Sequence, residues 1–439
     1  MYISQPCKAA LMRLEERGFQ AFMVGGCVRD QLLGRPVHDF DVTTDALPEQ
    51  IMEAFADLRT IPTGLKHGTV TVLIGSEPIE ITTFRVDRDY SDCRRPDSVE
   101  FTSDVTLDLA RRDFTMNAVA MDIRGKVIDP FGGISDINSG IIRCVGAPRL
   151  RFSEDALRIM RAVRFAAQLG FRIEDETFRE VIALKGNLAH VSRERLRDEL
   201  DKLIMGRCCA EVLLECREVI AEFIPEFRPC FDFDQHSRYH RYNVYEHIAR
   251  AVQAAPEKPV FRRTMLFHDI GKPPMFTMDE AGEGHFKGHA GVSADMAGLI
   301  MRRLRYSSAD IAVVCELIAH HSDKVSTERQ IKRIIAKQGL QYFLMLMEVK
   351  KSDNLAKNDF VLEENAYFDQ CAAAARRLVE EDNCFSLKDL AVNGRDMLAL
   401  GLSGRDIGVT LDRLLELVMD NALPNDRLTL LRFVKEELS

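Results

Sequence analysis

Several features are absent from this sequence of 439 residues, and each absence excludes a class of protein. No segment resembles a signal peptide, and no uninterrupted apolar run is long enough to span a membrane, so we expect a cytoplasmic protein with no membrane partner. The 11 cysteines include no CxxC pair, which indicates reduced, small hydrophobic residues and not a disulfide framework or a zinc knuckle. The net charge of −9 argues against a wholly basic surface, although a local basic stripe would suffice to bind nucleic acid.

What the sequence does contain is typical of a globular protein with several domains. With 46% hydrophobic and 29% charged residues, a chain of this length is expected to hold two to four domains. Hydrophobic periodicity predicts alternating helices and strands over the first ~145 residues and almost only helices from about Phe152 onward. Eight of the 11 histidines lie between His236 and His321, which indicates a separate module there, followed by a polar helical tail from about Asn358.

The segment GRPVHDFDVTTDA, residues 34–46, places two aspartates in a run that otherwise predicts a β-strand. In a strand the side chains of residues i and i+2 point to the same face, so Asp39 and Asp41 would lie side by side and repel each other. A divalent cation removes this repulsion, and carboxylate oxygens suit magnesium. The alternative is a pair of exposed aspartates in a surface turn. The later segment IEITTF places Glu80 on one face of another predicted strand, where it offers a third carboxylate.

The segment MVGGCVRD, upstream of these aspartates, predicts a strand, a glycine pair and a helix in succession. Gly25 and Gly26 allow the backbone to approach a ligand, and the N–H groups at the start of a helix face a phosphate. This succession, followed by a strand that carries two aspartates, is the arrangement that a nucleotidyltransferase needs to hold a triphosphate and its metal ions.

Three segments carry a resemblance to a known family: GGCVRDQLLGRPVHDFD, RRDFTMNA at residues 111–118, and EDALRIMRAVRF at residues 154–165. In this order and spacing they resemble successive motifs of the class II tRNA nucleotidyltransferase and bacterial poly(A) polymerase family, and SRERLRDELDKLIMG is similar to a later helical motif. The resemblance reaches to about residue 205. It implies an α/β nucleotidyltransferase head of the polymerase-β type, followed by an all-α body.

The resemblance implies a catalytic site built around the two aspartates. Asp39, Asp41 and Glu80 would be catalytic, and the two aspartates would hold Mg²⁺ ions that activate the RNA 3′-hydroxyl and neutralise the triphosphate. No protein nucleophile is required. The residues that would contact the nucleotide in this region are Gly26, Arg29 and Arg112 at the triphosphate, and Asp113 and Asn117 at a ribose hydroxyl.

The third motif places an aspartate and three arginines at intervals of three residues. On a helix this spacing predicts a slowly drifting ridge, for which a solvated ion-pair ladder is the structural alternative. The resemblance implies instead that Asp155 and Arg158 act as a protein template, which presents donors and acceptors to the Watson–Crick edge of C or A. The residues that match Arg161 and Arg164 also contact the nucleotide in the family.

Two further segments bear on the substrate. The segment DRDYSDCRRPDSVEF, between Asp87 and Phe101, is either a charged surface loop or, as the resemblance implies, part of the switch from C to A addition. Its presence favours full CCA addition, or A addition alone, over CC addition. The segment LAVNGRDMLALGLSGRDIGVTLDRLLELVMDNALPND resembles the tRNA-binding tail of the same family, and helix capping is the alternative role for its glycines.

The histidine-rich region resembles the HD superfamily of metal-dependent phosphohydrolases. The segments NVYEHIARA, LFHDIGKP, FKGHAG, LIAHHS and KSDNLAK carry this resemblance. It implies a set of metal ligands, namely His247, His268, Asp269 and Asp353, with His289 and His321 at a second metal position. His320 is the alternative to His321. Such ligands suit a divalent transition metal such as Mn, Ni, Co or Fe, or else Mg. A helical spacer that kept the pattern for packing is the structural alternative.

Together the resemblances predict a CCA-adding tRNA nucleotidyltransferase, which adds C, C and A from CTP and ATP to the acceptor arm of tRNA. Close alternatives are an A-adding enzyme and a poly(A) polymerase, and the tail and the HD module weigh against the polymerase. A regulator with an inactive site and a protein that is mainly an HD phosphohydrolase are alternatives from other classes. The predicted domains are a catalytic head, 1–145; a helical neck with the nucleotide-selecting motif and an RNA-binding segment, 146–225; an HD domain, 226–356; and a tRNA-binding tail, 357–439.

Overall fold

The structure, a computed structural model, describes residues 3–37, 39–88, 98–381 and 384–438. The chain divides into two compact units, which are Met1–Glu226 with Arg303–Arg305, and Phe227–Arg302 with Tyr306–Ser439. The finer division into four domains stays a prediction.

Among the described residues, the first unit contains eleven strands. They are β1 Ala21–Val24, β2 Asp41–Thr44, β3 Arg59–Gly64, β4 Thr69–Ile74, β5 Glu77–Thr83, β6 Arg85–Arg88, β7 Ser98–Phe101, β8 Ala120–Met121, β9 Val127–Ile128, β10 Ile141–Ile142 and β11 Arg172–Ile173. Seven of them form a mixed sheet in the order β3-β4-β5-β2-β1-β8-β9, in which only β2 and β5 run parallel. The α/β head that the sequence predicts is therefore confirmed.

The helices of the first unit flank this sheet and then form the all-α segment that follows it. They are α1 Gln5–Glu16, α2 Gly26–Leu32, α3 Pro48–Ala54, α4 Val105–Ala110, α5 Gly133–Ser139, α6 Pro148–Glu154, α7 Leu157–Leu169, α8 Asp175–Ala183, α9 Arg193–Ile204, α10 Cys209–Glu215 and α11 Arg217–Ile220. Apolar side chains of α1 and α3, including Leu11 and Ile51, pack on one face of the sheet with Val42 and Ile81. This packing decides which face of each strand is buried.

The alternation of side chains along β2 and β5 separates an apolar face from a polar one. Val42 and Ile81 point into the core, so Asp41, Thr43 and Glu80 point to the opposite face. One detail of the sequence prediction is wrong, because β2 begins at Asp41 and Asp39 precedes the strand. The two aspartates are therefore not paired by a regular strand, and Asp39 reaches the site from the preceding loop.

A second detail of the sequence prediction is also wrong. Asp155 does not belong to the helical ridge with the three arginines, because α6 ends at Glu154 and α7 begins only at Leu157. Asp155 has an extended backbone with φ −139° and ψ 103°. The ridge of Arg158, Arg161 and Arg164 thus starts after a break, and the aspartate can point away from it.

The second unit is helical apart from a short hairpin of β12 Thr277–Met278 and β13 Gly284–His285. Its helices are α12 Val244–Ala254, α13 Pro259–Phe267, α14 His289–Arg303, α15 Ser308–His320, α16 Glu328–Gln338, α17 Leu340–Asn354, α18 Glu363–Glu380, α19 Gly394–Ala399, α20 Arg405–Met419 and α21 Arg427–Leu438. The last three helices share a small core of their own, which includes Leu414 and Leu430. Asn393 caps α19 with its side chain, and Gly404 is the N-cap residue of α20.

No helix among the described residues is both long enough and apolar enough to cross a membrane.

Candidate active site and metal centre

Three carboxylates gather on the polar face of the head sheet. Asp41 lies directly beside Glu80 in the parallel pair of β2 and β5, and Asp39 lies two residues before it. Desolvation by the surrounding protein raises the pKa of Asp41, and the negative charges of Glu80 and, to a smaller extent, Asp39 raise it further. The positive charge of Arg112 lowers it. The three carboxylates therefore repel one another. As a group they do not bring one oxygen each within 4.8 Å of the others, so a divalent cation would have to draw them closer.

Arg112 lies across the glycine turn beside these carboxylates. Gly25 has φ +81°, and a Cβ atom there would lie 3.4 Å from Arg112 Nη1 and 3.9 Å from Asp41 Oδ2. The next residue, Gly26, begins α2 and faces Arg29. Arg112 Nε is buried and has no hydrogen-bond partner among the described residues. An underpaired buried guanidinium next to a carboxylate cluster is a binding group for an anion.

Asp108 supports this arginine and was not assigned by the sequence analysis. Its carboxylate is completely buried, accepts hydrogen bonds from Arg111 Nε at 2.9 Å and Thr43 Oγ1 at 3.2 Å, and lies 3.4 Å from Arg112 Nη2. Burial alone would raise the pKa of Asp108, but Arg111 and Arg112 lower it. Asp108 therefore links Arg112 to β2, the strand that begins with Asp41. Asp108 lies four residues before Arg112 in the sequence, and this spacing could have indicated that the two side chains meet.

A second buried network joins four residues of the predicted nucleotide site. Asp113 accepts hydrogen bonds from Asn117 Nδ2 at 3.0 Å and Arg161 Nε at 2.7 Å, and Asn117 Oδ1 accepts one from Arg29 Nη1 at 2.8 Å. The guanidinium groups of Arg29 and Arg161 lie 5.0 and 5.4 Å from the centre of the Phe165 ring. Burial would raise the pKa of Asp113, but Arg161 and Asn117 lower it to about 2. These side chains are thus held in place before any ligand binds.

The two residues predicted to select the nucleotide each have a partner that sequence reasoning did not assign. Asp155 accepts a hydrogen bond from Arg195 Nη2 at 2.9 Å. Arg158 donates to Glu154 Oε2 at 2.7 Å and to the carbonyl of Arg111 at 2.9 Å. Arg195 lies in the segment SRERLRDEL, which resembles a helical motif of the family. The sequence did not show that Arg195 pairs with Asp155.

Arg164 differs from the other arginines of α7 because it is buried. Its Nε donates to Glu199 Oε2 at 2.6 Å, and its guanidinium lies 3.8 Å from the centre of the Phe165 ring. This contact ties α7 to α9. Direct nucleotide contact by Arg164 stays a prediction.

The predicted switching loop lies largely outside the described residues, since residues 89–97 are not described. Its two ends form the antiparallel pair β6 and β7, in which Arg85 faces Phe101.

The second unit contains a compact cluster of histidines and aspartates that matches the sequence-predicted set. Ligand atoms of His247, His268, Asp269 and Asp353 all lie within 4.8 Å of one another. Asp269, His289 and His321 form a second group by the same measure. Asp269 belongs to both groups, with Oδ2 near His247 and His268 and Oδ1 near His289 and His321. The cluster therefore has the layout of two adjacent cation positions that share one carboxylate.

The hydrogen bonds of the four histidines determine which ring nitrogen is free. In each one Nδ1 lies 2.7–3.1 Å from a backbone carbonyl, at Ala356, Met265, Phe286 and Ile318 for His247, His268, His289 and His321 respectively. A carbonyl only accepts hydrogen bonds, so Nδ1 carries the hydrogen and Nε2 presents its lone pair to the centre. The Nε2 atoms lie 3.1 Å apart in one pair and 3.3 Å apart in the other. Two lone pairs facing each other repel, so each pair favours a proton or a metal ion shared between its two Nε2 atoms.

Each aspartate of the cluster pairs with a lysine and still has at least one buried oxygen that accepts no hydrogen bond in the described part of the chain. Both oxygens of Asp269 and Oδ1 of Asp353 are buried, and none of them accepts a hydrogen bond of normal geometry from the described residues. Lys272 Nζ lies 2.6 Å from Asp269, and Lys357 Nζ lies 2.7 Å from Asp353. Burial alone would lower the pKa of His268, but Asp269 and Asp353 raise it to about 9. A positive charge, from a proton or a metal ion, is therefore favoured at this centre.

The cluster opens into a cavity of about 930 Å³, here called the HD cavity. Its walls include four residues of the cluster, the cations Arg238 and Lys324, and the aromatic residues Tyr239, Tyr367 and Phe368. The four are Asp269, His289, His321 and Asp353. His240 also lines the HD cavity, and burial lowers its pKa below the ordinary range. His320 belongs elsewhere, because its Nδ1 pairs with Asp323 at 2.6 Å.

Models of known families match three segments of the chain. Residues 21–143 match the poly A polymerase head domain, residues 170–229 match the "Probable RNA and SrmB- binding site of polymerase A", and residues 238–358 match the HD domain.

The chain is also similar to curated and structurally solved proteins. It is 49% identical over 223 residues to the CCA-adding enzyme of Lactobacillus helveticus, a match that covers 49% of this chain and 54% of that protein. For the CCA-adding enzyme of Geobacillus thermodenitrificans the identity is 50% over 209 residues, covering 48% of this chain and 51% of that protein. The chain therefore spans about half the length of the curated relatives it matches.

The matches to solved structures extend over nearly the whole chain. The crystal structure of the Bacillus stearothermophilus CCA-adding enzyme in complex with CTP matches with a TM-score of 0.72 and 28% identity, covering 99% of this chain and 97% of that one. The Thermotoga maritima CCA-adding enzyme complexed with tRNA has the same fold at 20% identity and a TM-score of 0.58, covering 98% of this chain and 94% of that one. In order along the chain, the matches thus comprise a poly A polymerase head domain, an RNA-binding segment and an HD domain, and the chain is similar to CCA-adding enzymes in sequence and in fold.

Proposed function

We propose that the protein is a CCA-adding tRNA nucleotidyltransferase, which extends the 3′ end of tRNA with C, C and A from CTP and ATP without a nucleic-acid template. The observation that carries the proposal is the register of β2 and β5, which sets Asp41 beside Glu80 next to the underpaired Arg112. The relatives that are named CCA-adding enzymes support the same substrates. The proposal includes the cytoplasmic location expected from the sequence.

The proposed reaction is a nucleotidyl transfer to the RNA 3′-hydroxyl. The hydroxyl oxygen forms a bond to the α-phosphorus, the bond from that phosphorus to the bridging oxygen of the β-phosphate breaks, pyrophosphate leaves and the hydroxyl proton goes to solvent. The family implies a divalent metal ion. We propose Mg²⁺ held by Asp39 and Asp41, which would supply charge neutralisation for the triphosphate. Glu80 would orient Asp41 or complete the ligand set.

Arg112 would bind the triphosphate, because its buried Nε has no partner among the described residues and it lies against the Gly25 turn. Gly26 and Arg29 would border the same phosphates. Asp113 and Asn117 would meet the ribose, and their mutual hydrogen bond with the links to Arg29 and Arg161 holds them in position. Rigid side chains lose little entropy when the nucleotide binds, which favours this arrangement.

Asp155 and Arg158 would read the base edge. Arg195 and Glu154 restrain these two side chains, so the proposed template is supported by a second layer of charges. Arg161 and Arg164 would support it from α7. Because Glu154 holds one arginine nitrogen and the Arg111 carbonyl holds another, Arg158 presents a restricted set of donors to a base.

The test uses tRNA transcripts that end at the discriminator base, at C and at CC, supplied with CTP and ATP singly and together. A CCA-adding enzyme completes all three when both nucleotides are present. Addition of A to the CC-ending transcript alone would establish an A-adding enzyme, and long A tracts on any of them would establish a poly(A) polymerase.

We propose, second, that the HD centre is a metal-dependent phosphohydrolase site. The four histidines that offer Nε2 favour it, and so does the buried Asp269, whose two oxygens face all four of them. His247, His268, Asp269 and Asp353 would hold one divalent cation, and Asp269, His289 and His321 the other. Such cations would supply an activated water and neutralise phosphate charge. After removal of metal with a chelator and reloading with Mn²⁺, release of phosphate from adenosine monophosphates tests the site, and a protein that binds Mn²⁺ without any release has a structural centre only.

A further inference from the structure

A second cavity adjoins the HD cavity and carries excess positive charge. It has a volume of about 300 Å³ and is called the side cavity here. The two cavities share Asp323, Lys324 and Val325 in their walls. Lys350 Nζ donates to the carbonyls of His321 at 2.7 Å and Asp323 at 2.5 Å, so the backbone between the metal centre and the side cavity is held in place. The side cavity is therefore a fixed extension of the HD cavity.

Three cations of the side cavity have no acidic partner. Lys324, Arg333 and Lys337 line it, all three are exposed, and none forms an ion pair with a described residue. Arg333 and Lys337 are four residues apart on α16, so their side chains lie on one face of the helix. The carboxylate of Asp323 is already engaged by His320. Cationic side chains thus outnumber carboxylates in the walls of the side cavity, in a protein whose net charge is −9.

We propose that the side cavity binds the phosphate backbone of a single-stranded RNA whose terminal phosphate enters the HD cavity. This inference rests on the proposed phosphohydrolase function of the HD centre, and it names the substrate class of that centre as a phosphorylated RNA end and not a free nucleotide. Unpaired cations at the side cavity would meet successive phosphates. Tyr239 and Tyr367, which are 42% and 39% exposed in the wall of the HD cavity, would stack on bases.

An RNA fits these observations better than an acidic protein segment does. An acidic peptide would use the cations but has no group for the exposed aromatic wall or for a metal centre built to hold phosphate. In the reaction, a water oxygen forms a bond to the terminal phosphorus and the bond from that phosphorus to the sugar oxygen breaks. The sugar oxygen takes a proton from the water, so the products are an RNA hydroxyl and inorganic phosphate.

The test compares the native chain with two triple variants of it. The track variant is Lys324→Gln, Arg333→Gln and Lys337→Gln. The control variant is Lys258→Gln, Arg302→Gln and Arg376→Gln, which removes three exposed cations of the same unit that line neither cavity. The probes are RNA octamers with a 3′-phosphate or a 5′-phosphate, adenosine 3′- and 5′-monophosphate, and an octamer of glutamate, all with Mn²⁺-loaded protein.

Binding of the fluorescent RNA octamers is measured by anisotropy over a series of salt concentrations. Loss of three phosphate contacts should reduce the slope of log affinity against log salt by about 2 in the track variant, since each contact on a single strand contributes about 0.7. The control variant should keep the native slope. An unchanged slope in the track variant overturns the proposal, and so does equally tight binding of the glutamate octamer, because the surface would then be a protein-docking site.

Phosphate release is measured on the same proteins. The native chain should have a kcat/KM for one octamer at least tenfold above that for the matching monophosphate, and the track variant should lose this advantage. A double variant, Arg333→Gln with Lys337→Gln, leaves the wall of the HD cavity intact and should keep the native activity on the monophosphates. Equal activity of the native chain on octamers and monophosphates overturns the proposal but leaves the phosphohydrolase intact. If the native chain releases no phosphate from any probe, the phosphohydrolase function and the substrate assignment fail together, and the salt slope still decides whether the side cavity binds RNA.

Discussion

The carboxylate edge of the head and the histidine centre of the second unit hold acidic groups in opposite ways. Asp41 and Glu80 are exposed on a sheet, and two adjacent strands suffice to bring them together. His268 and Asp269 are 0% and 1% exposed, and four histidines are oriented by backbone carbonyls around them. The open site suits a cation that arrives with a charged substrate and leaves with the product. The closed site suits a resident ion, because release would expose unpaired buried charges.

The largest expected effect comes from the open site. Asp41→Ala should lower nucleotide addition to tRNA by about 10³-fold or more, because a lost metal ligand removes several kcal/mol of charge stabilisation and each 1.36 kcal/mol is a factor of ten. Incorporation of labelled CTP and ATP measures this. Asp57→Ala is the matched control, since Asp57 is an exposed aspartate of the head paired with Arg13, and should leave addition unchanged. Normal addition by Asp41→Ala would show that the carboxylate edge is not the catalytic site.

The closed site should respond in metal content and not in nucleotide addition. After equilibrium dialysis against Mn²⁺, the native chain should retain two ions, His289→Ala one, and Asp269→Asn none, because Asp269 faces both cation positions. Elemental analysis of the dialysed protein gives the stoichiometry. His285→Ala, an exposed histidine outside both groups, should keep two ions. Retention of both ions by Asp269→Asn would contradict the interpretation that one carboxylate serves both cation positions. Loss of tRNA extension by these variants would mean that the centre is needed for the structure of the nucleotide-adding enzyme.

A smaller effect should separate binding of the nucleotide from its selection. Asp155→Ala should reduce the preference for CTP over UTP in kcat/KM by about tenfold, which corresponds to about 1.4 kcal/mol for a lost base-edge contact. Arg195→Gln should also reduce the preference for CTP over UTP, since Arg195 donates a hydrogen bond to Asp155 and holds it in place. Steady-state kinetics with single nucleotides measures both. Glu176→Gln, an exposed acid on α8, serves as the control. A loss of rate that is equal for CTP and UTP would assign Asp155 to folding or positioning and not to selection.

The smallest effect concerns stability against acid. The folded pKa of Asp113 is about 2, below its ordinary value of 3.8, so its ionised form stabilises the fold above pH 3.8 and this contribution is lost as the pH falls towards 2. The difference between the two pKa values corresponds to a stabilisation of the folded state by roughly 2.5 kcal/mol at neutral pH. Of this stabilisation, roughly 1 kcal/mol should be lost by pH 3.

Urea unfolding of the native chain and of Asp113→Asn measures this contribution. The difference between their free energies of unfolding should narrow between pH 5 and pH 3. A difference that stays constant with pH would mean that Asp113 is not held ionised by Arg161. In the corresponding variant of an exposed acid, Glu176→Gln, the difference in free energy of unfolding from the native chain should hardly change with pH.

The fold and the centre of each site follow from local sequence, while the supporting contacts do not. The predicted strands in MVGGCVRD and IEITTF are β1 and β5, and the predicted helix after the glycine pair is α2. Strands β8 and β9 were missed because two-residue strands carry almost no periodic signal.

The partners of the site residues depend on contacts between distant segments. Arg195 reaches Asp155 across 40 residues and Arg161 reaches Asp113 across 48, and spacing along the chain cannot express either contact. Asp155 itself was placed on the wrong side of a helix boundary. The regular interval of three residues continues through a break between α6 and α7, so periodicity alone could not reveal the break.

By itself, the sequence determined the order of the modules and the identities of the metal-ligand candidates, because both are written as residue types at short spacing. Only the tertiary structure decided which groups are left without partners. Among the described residues, Arg112 Nε and Asp269 Oδ1 form no hydrogen bond, because distant elements bury them without supplying a partner. The free Nε2 atoms of the histidines follow from carbonyls that other turns of the chain place beside Nδ1. Burial and hydrogen bonding are properties of the folded chain, and these two properties turn candidate residues into binding sites.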